Sequence, residues 1–104
     1  MHYAVNHLGH FYLTYLLFKK LQKSDFFKII NVSSLAHKKV LGFMFKFDLN
    51  FEDMNFTKEN NMYNKDLAYS RSKLYNVLFT KALAQKIDQS KGIALCLHPG
   101  VVRT

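Results

Sequence analysis

Tyr69 and Lys73 stand four residues apart in Tyr69-Ser70-Arg71-Ser72-Lys73, a spacing that puts both side chains on one face of a helix. A phenol with a pKa of about 10 is a poor acid or base at neutral pH. A fixed ammonium beside it favours the phenolate and brings proton transfer into the working range. Alone, a Tyr-x-x-x-Lys pair is a frequent coincidence on a helix surface, and other segments give it weight. Asn31-Val32-Ser33-Ser34 closes a β-branched run. Open parallel sheets bind ligands beyond the carboxyl ends of such strands. Asn6 lies in Val5-Asn6-His7-Leu8-Gly9-His10-Phe11, and His98-Pro99-Gly100-Val101-Val102-Arg103-Thr104 follows a second apolar run.

Each of these residues also has a plainer reading. Ser34 can serve as a loop-start serine, and Asn6 can bond to its own helix neighbours. His7 and His10 read as helix-packing residues, because no metal-type partner accompanies them, and no metal site is expected. His98 beside Pro99 reads as structural, and Cys96 as a small hydrophobe within a strand.

Four elements must position these groups. Residues 2–23 predict a helix, with Val5, Leu8, Tyr12, Tyr15 and Leu16 recurring at spacings of three and four. Leu13 and Leu17 widen that stripe and predict burial on more than one side. Residues 28–33 predict a strand buried on both faces. Residues 34–65 have mixed polarity and weak periodicity, the mark of a long loop. Asp66 is placed to cap a second helix over 67–89. On that helix Leu74, Val77, Leu78 and Ala82 form one apolar stripe, and Phe79, Leu83 and Ile87 a second. Residues 93–97 predict a second buried strand. The order helix–strand–helix–strand implies an α/β unit with parallel strands and a right-handed crossover. Two strands buried on both faces need neighbours, which points to a piece of a larger open sheet.

Composition narrows the function classes. The chain has 104 residues, 49% hydrophobic and 21% charged, so it is neither disordered nor low in complexity. Its one cysteine, Cys96, rules out an internal disulfide and fits a reducing compartment. The net charge of +8 comes from dispersed lysines, with no basic block and no nucleic-acid-binding signature, so no nucleic-acid partner is expected. No apolar run reaches the roughly 18 residues of a membrane span, and the first residues lack a signal-peptide pattern. Any membrane association is expected through segments other than these.

Together and in this order, the motifs resemble the short-chain dehydrogenase/reductase family. VNHLGHF, NVSSLAH, SKLYNVLFTKALA and HPGVVRT are similar to its retinol-dehydrogenase-like branch. The resemblance covers the chain except about residues 40–63. It implies a partial Rossmann-type, doubly wound parallel sheet and an NAD(P)-dependent oxidoreductase of lipophilic alcohols or carbonyls, retinol and retinal among them. Tyr69 would exchange a proton with the substrate oxygen. Lys73 would lower the pKa of Tyr69 and hold the nicotinamide ribose. Ser34 would donate a hydrogen bond to the substrate oxygen, and Asn6 would anchor the water that relays protons from Lys73. Pro99 and Gly100 would turn the chain beside the nicotinamide, Val102 would offer its backbone to the carboxamide, and Thr104 would approach the pyrophosphate. The full-length family is intracellular, in cytoplasm or associated with endoplasmic reticulum or mitochondria.

The sequence also departs from the family pattern. It has no G-x-x-x-G-x-G turn, no ribose-selecting residue after a second strand and no Asn-Ala-Gly segment. Residues 1–104 are therefore expected to be the C-terminal half of a dinucleotide-binding domain, without its cofactor-phosphate half and without the substrate lid. By itself this segment is expected to be inactive and to self-associate. The alternative is a non-catalytic remnant acting as an interaction protein. Ser34 and Tyr69 are 69 − 34 = 35 positions apart, more than the family usually shows. Phe43, Met44, Phe45, Phe47 and Phe51 crowd that interval, as would suit an apolar substrate pocket.

Overall fold

The computed structural model describes residues 1–38, 51–54 and 64–103. A π-helical segment, Tyr3–Leu8, runs directly into helix α1, Gly9–Leu21. Strand β1 is Phe27–Val32, helix α2 is Lys65–Lys86, and strand β2 is Gly92–Leu97. The single predicted first helix is thus two helical forms. The widened turn is visible where the Gly9 N–H donates to the Ala4 carbonyl, five residues back.

The strands pair in parallel, from Phe27 opposite Gly92 to Val32 opposite Leu97. The Ser33 N–H donates to the Leu97 carbonyl at 2.8 Å and extends the ladder past β1. This is the parallel α/β arrangement that the order of elements implied, consistent with the partial Rossmann-type sheet that the resemblance implied. Helix α2 starts two residues earlier than expected. Its cap is Asn64, whose side chain accepts the Leu67 N–H at 3.0 Å, and not Asp66, which sits in the first turn. Asp66 still complements the helix dipole from there.

Expected burial on both faces of the strands does not hold among the described residues. Phe27, Ile29 and Asn31 are buried, and they alternate with exposed Lys28, Ile30 and Val32. Both helices supply the covered face. Phe27 and Ile29 join Leu83 and Ile87 of α2 and its C-terminal cap, with Phe18 and Leu21 of α1 and Phe79 packed around them. Each fully buried side chain of this kind contributes on the order of 2 kcal/mol. Of the two stripes on α2, the Phe79, Leu83, Ile87 stripe therefore carries the core. In the other, Leu74 is buried but Leu78 and Ala82 are exposed. On α1 the expected stripe also faces outward, and Tyr15 is 70% exposed. Phe18 and Leu21, later on the helix, make its core contacts.

Candidate functional site

Because β1 and β2 are parallel, the segments leaving Val32 and Leu97 emerge at one edge of the sheet. Ser33 and Ser34 follow one strand there, and His98, Pro99 and Gly100 the other. The N-terminal half of α2 is tied to the same edge. The Ser33 hydroxyl donates to the Lys73 carbonyl at 2.8 Å, and Lys73 Nζ donates to the Val32 carbonyl at 3.2 Å. Those two bonds bring the predicted catalytic helix face to the predicted strand end.

Tyr69 is half-buried, and Lys73 Nζ lies 5.6 Å from its ring centroid. That is within the range where an ammonium is attracted to an aromatic face. The His2 ring meets Tyr69 edge-on at 5.7 Å. Ser34 accepts the Ala36 N–H at 3.2 Å, a local turn bond that leaves the hydroxyl proton available for donation. Asn6 does not bond within its own helix alone. Its Nδ2 donates to Ser72 Oγ at 3.1 Å, and Ser72 in turn donates to the Tyr69 carbonyl at 2.7 Å. The Asn6 carbonyl accepts from Asn76 Nδ2 at 2.9 Å. The π-helical segment carrying Asn6 is therefore laced to the turn of α2 that carries Tyr69.

Pro99, Gly100 and Val102 are exposed beyond β2, and Gly100 adopts φ of +84°, a conformation that suits glycine. A Cβ there would meet nothing within 4 Å, so the backbone of this turn is open to a ligand. Thr104 lies outside the described residues, as do Phe43, Met44, Phe45 and Phe47 of the long interval. Phe51 is described; its ring lies 6.0 Å from that of Tyr75 on α2.

Sequence reasoning missed the polar layer beneath the pair. Asn31 Nδ2 donates to Thr80 Oγ1 at 2.8 Å, and Thr80 donates to the Asn76 carbonyl at 2.7 Å. Asn76 and His7 are joined at 3.1 Å. The available signal was spacing, since Asn76 follows Lys73 by three positions and shares its helix face. His7 is a packing residue, as expected, set among Tyr3, Phe11, Tyr75 and Phe79. Burial pushes its pKa below the ordinary histidine value, against the opposing hydrogen bond to Asn76. Among the described residues no His/Cys/Asp/Glu group is arranged to hold a metal ion, and no helix is long and apolar enough to cross a membrane.

Comparison with known proteins gives the chain relatives along its whole length. The chain is 45% identical over 104 residues to human retinol dehydrogenase 14, covering 100% of this chain and 28% of that protein. Against human retinol dehydrogenase 13 the identity is 47% over 104 residues, or 29% of that protein. Human retinol dehydrogenase 11 is 45% identical over 104 residues, 30% of its length. The chain thus spans less than a third of the length of these relatives. No family model and no solved structure matches it. Along its whole length the chain is thus similar to retinol dehydrogenases, the branch of the short-chain dehydrogenase/reductase family that its motifs resemble.

Proposed function

We propose that the chain carries the proton-transfer side of an NAD(P)-dependent oxidoreductase that interconverts lipophilic alcohols and carbonyl compounds, of which retinol and retinal are the first to test. The observation that carries this reading is the Tyr69–Lys73 pair at the carboxyl edge of the parallel strands, with Nζ 5.6 Å from the phenol ring. The names of the relatives supply the substrate class, since they are retinol dehydrogenases.

In alcohol oxidation Tyr69, as phenolate, takes the hydroxyl proton, and in carbonyl reduction it returns one. Lys73 holds positive charge beside the Tyr69 ring. Ser34 donates a hydrogen bond to the substrate oxygen and so stabilises the charge that develops there. Asn6, one link from Tyr69 through Ser72, keeps the π-helical segment against the pair and serves the proton relay from Lys73. The residues present fit the nicotinamide end of a dinucleotide: an ammonium at the strand edge and the open Pro99–Gly100 turn with its positive φ. Lys73 and Tyr69 would hold the ribose, Pro99, Gly100 and Val102 would flank the nicotinamide, and Thr104 would meet the pyrophosphate. A bound nicotinamide supplies or accepts the hydride.

The test is exchange of residues 1–104 into the matching stretch of full-length human retinol dehydrogenase 14. The chimera should oxidise retinol with NADP⁺ or NAD⁺. A folded chimera with no turnover on retinol or other long-chain alcohols would refute the assignment. A second reading, an interaction segment without catalysis, draws on one observation: the apolar residues Ile30, Val32, Leu95 and Leu97 exposed on one face of the sheet. It predicts capture of another chain by that face and no turnover in the chimera.

A further inference from the structure

We infer that Asn76 is a positioning residue for the Tyr69–Lys73 pair, acting through the carbonyls of Val32 and Asn6 and held in orientation by His7. This rests on the reading of Tyr69 and Lys73 given above. Asn76 is 1% exposed, at the meeting point of α2, the end of β1 and the π-helical segment. Its Nδ2 lies 2.9 Å from the Asn6 carbonyl and 3.3 Å from the Val32 carbonyl. Carbonyl oxygens only accept, so the amide nitrogen must face them, and the opposite flip would set oxygen against two oxygens. The amide oxygen therefore faces His7 Nδ1 at 3.1 Å, and His7 must donate from that nitrogen. All three hydrogen bonds of the amide run in one sense.

Val32 is where this amide meets the catalytic lysine. Its carbonyl has two lone pairs; one takes Lys73 Nζ at 3.2 Å and the other takes Asn76 Nδ2. The ammonium and the amide thus share that oxygen, and the same ammonium lies 5.6 Å from the Tyr69 ring centroid. Remove the amide, and the Asn6 and Val32 carbonyls each lose one donor, Val32 keeping only the ammonium. Lys73 Nζ is then free to move into the space the amide leaves. Drawn inward, it moves away from the Tyr69 ring. The expected consequence is a shift in proton transfer, beyond any loss of stability.

The retinol dehydrogenase chimera provides the assay, read as kcat for retinol oxidation with NADP⁺ across pH. Asn76→Ala should lower kcat at neutral pH about tenfold and move the acid limb upward by about one pH unit, the two being one and the same displacement of the profile. Raising the pH should restore most of the rate. His7→Phe, which keeps a ring against Phe11, Tyr75 and Phe79 but frees the amide, should move the limb in the same direction by less. Thr80→Val breaks bonds of the same layer one turn further from Lys73. It should lower the melting temperature and leave the limb in place. A purely structural Asn76 would reduce the active fraction equally at every pH. Superimposable profiles for Asn76→Ala and the parent would overturn the proposal, as would a Thr80→Val limb that moves as far. Should Asn76→Ala fail to fold, an unmoved limb in His7→Phe has the same force. Tyr69→Phe separates the two levels: an active Tyr69→Phe sinks the catalytic reading itself, whereas an inactive one with an unmoved Asn76→Ala limb sinks only this inference.

Discussion

The proposed reaction turns on one phenol oxygen, that of Tyr69, and Lys73 Nζ lies 5.6 Å from the centroid of its ring. In the chimera, Tyr69→Phe keeps the ring and its edge contact with His2 but removes the oxygen that exchanges the proton. Loss of a positioned acid/base costs about 10²–10⁴ in rate. Ser34 can orient the substrate oxygen but is too weak an acid to replace the phenol, so kcat should fall by at least that range's lower end. Steady-state turnover measures it, and activity within a few-fold of the parent would remove Tyr69 from the mechanism. His7 yields a second prediction, about stability. Burial lowers its folded pKa below its unfolded value of 6.5. The folded state therefore disfavours protonation, so His7 costs no stability above pH 6.5 and an increasing amount as pH falls through the lower folded value. Thermal melts of the chimera should decline over that acidic window, and His7→Phe should flatten that part of the decline. A parallel loss in both proteins would show that the decline originates elsewhere.

At the scale of elements, α2 positions the pair, and its start is set by one side chain. Asn64 is exposed and accepts the Leu67 N–H, so Asn64→Ala should destabilise by about 1 kcal/mol through the lost cap. Asp66→Ala removes a weaker, salt-screened dipole interaction and should cost less, about 0.3–1 kcal/mol at low salt. Chemical denaturation ranks the two, and the reverse order would restore Asp66 as the cap. The sequence contains an Asx residue at both positions, and only the backbone distinguishes them: Asn64 is extended where Asp66 is already helical. The same limit explains what else was legible. The β-branched run at 28–33 and the Phe79, Leu83, Ile87 spacing are local patterns, and a strand and a helix form there, although the strand buries only alternate residues and not both faces. Which of two apolar stripes faces the sheet depends on the crossover, which no local pattern contains. The Tyr69–Lys73 pair was readable because both members lie on one helix. The Asn31–Thr80–Asn76 layer joins residues 49 positions apart at its longest link, and polar residues inside an apolar stretch read as surface until the strand is set beside them. Gly92 gives a further test of the packing at β2. A Cβ there would stand 2.8 Å from three atoms of the Phe27 ring, itself in the core. Gly92→Ala should cost about 1–3 kcal/mol by overpacking, and an unchanged denaturation midpoint would mean that Phe27 has room to move.

For the whole molecule, the decisive feature is the sheet face opposite the helices. Ile30 and Leu95 are register partners, 52% and 47% exposed, and Val32 and Leu97 beside them are also exposed. They form a contiguous apolar strip on a two-stranded sheet whose edges, among the described residues, pair with no further strand. Apolar area exposed in one patch is worth roughly 25 cal/mol per Å² to whatever covers it, and unpaired strand edges recruit other strands. A polypeptide of residues 1–104 should therefore self-associate. Charge opposes this only in part: the net +8 repels like chains, but Lys28 is the one lysine on this strand face. Sedimentation should show concentration-dependent oligomers, shifting further toward association as salt screens the repulsion. Leu95→Lys combined with Ile30→Thr places a charge and a hydroxyl at the centre of the strip while preserving the buried face, and should return the chain toward monomer. A sharp, concentration-independent monomer for the unmodified chain would show that the strip does not drive association. An equally oligomeric double variant would instead place the association on α1, where Tyr12, Leu13 and Tyr15 are exposed.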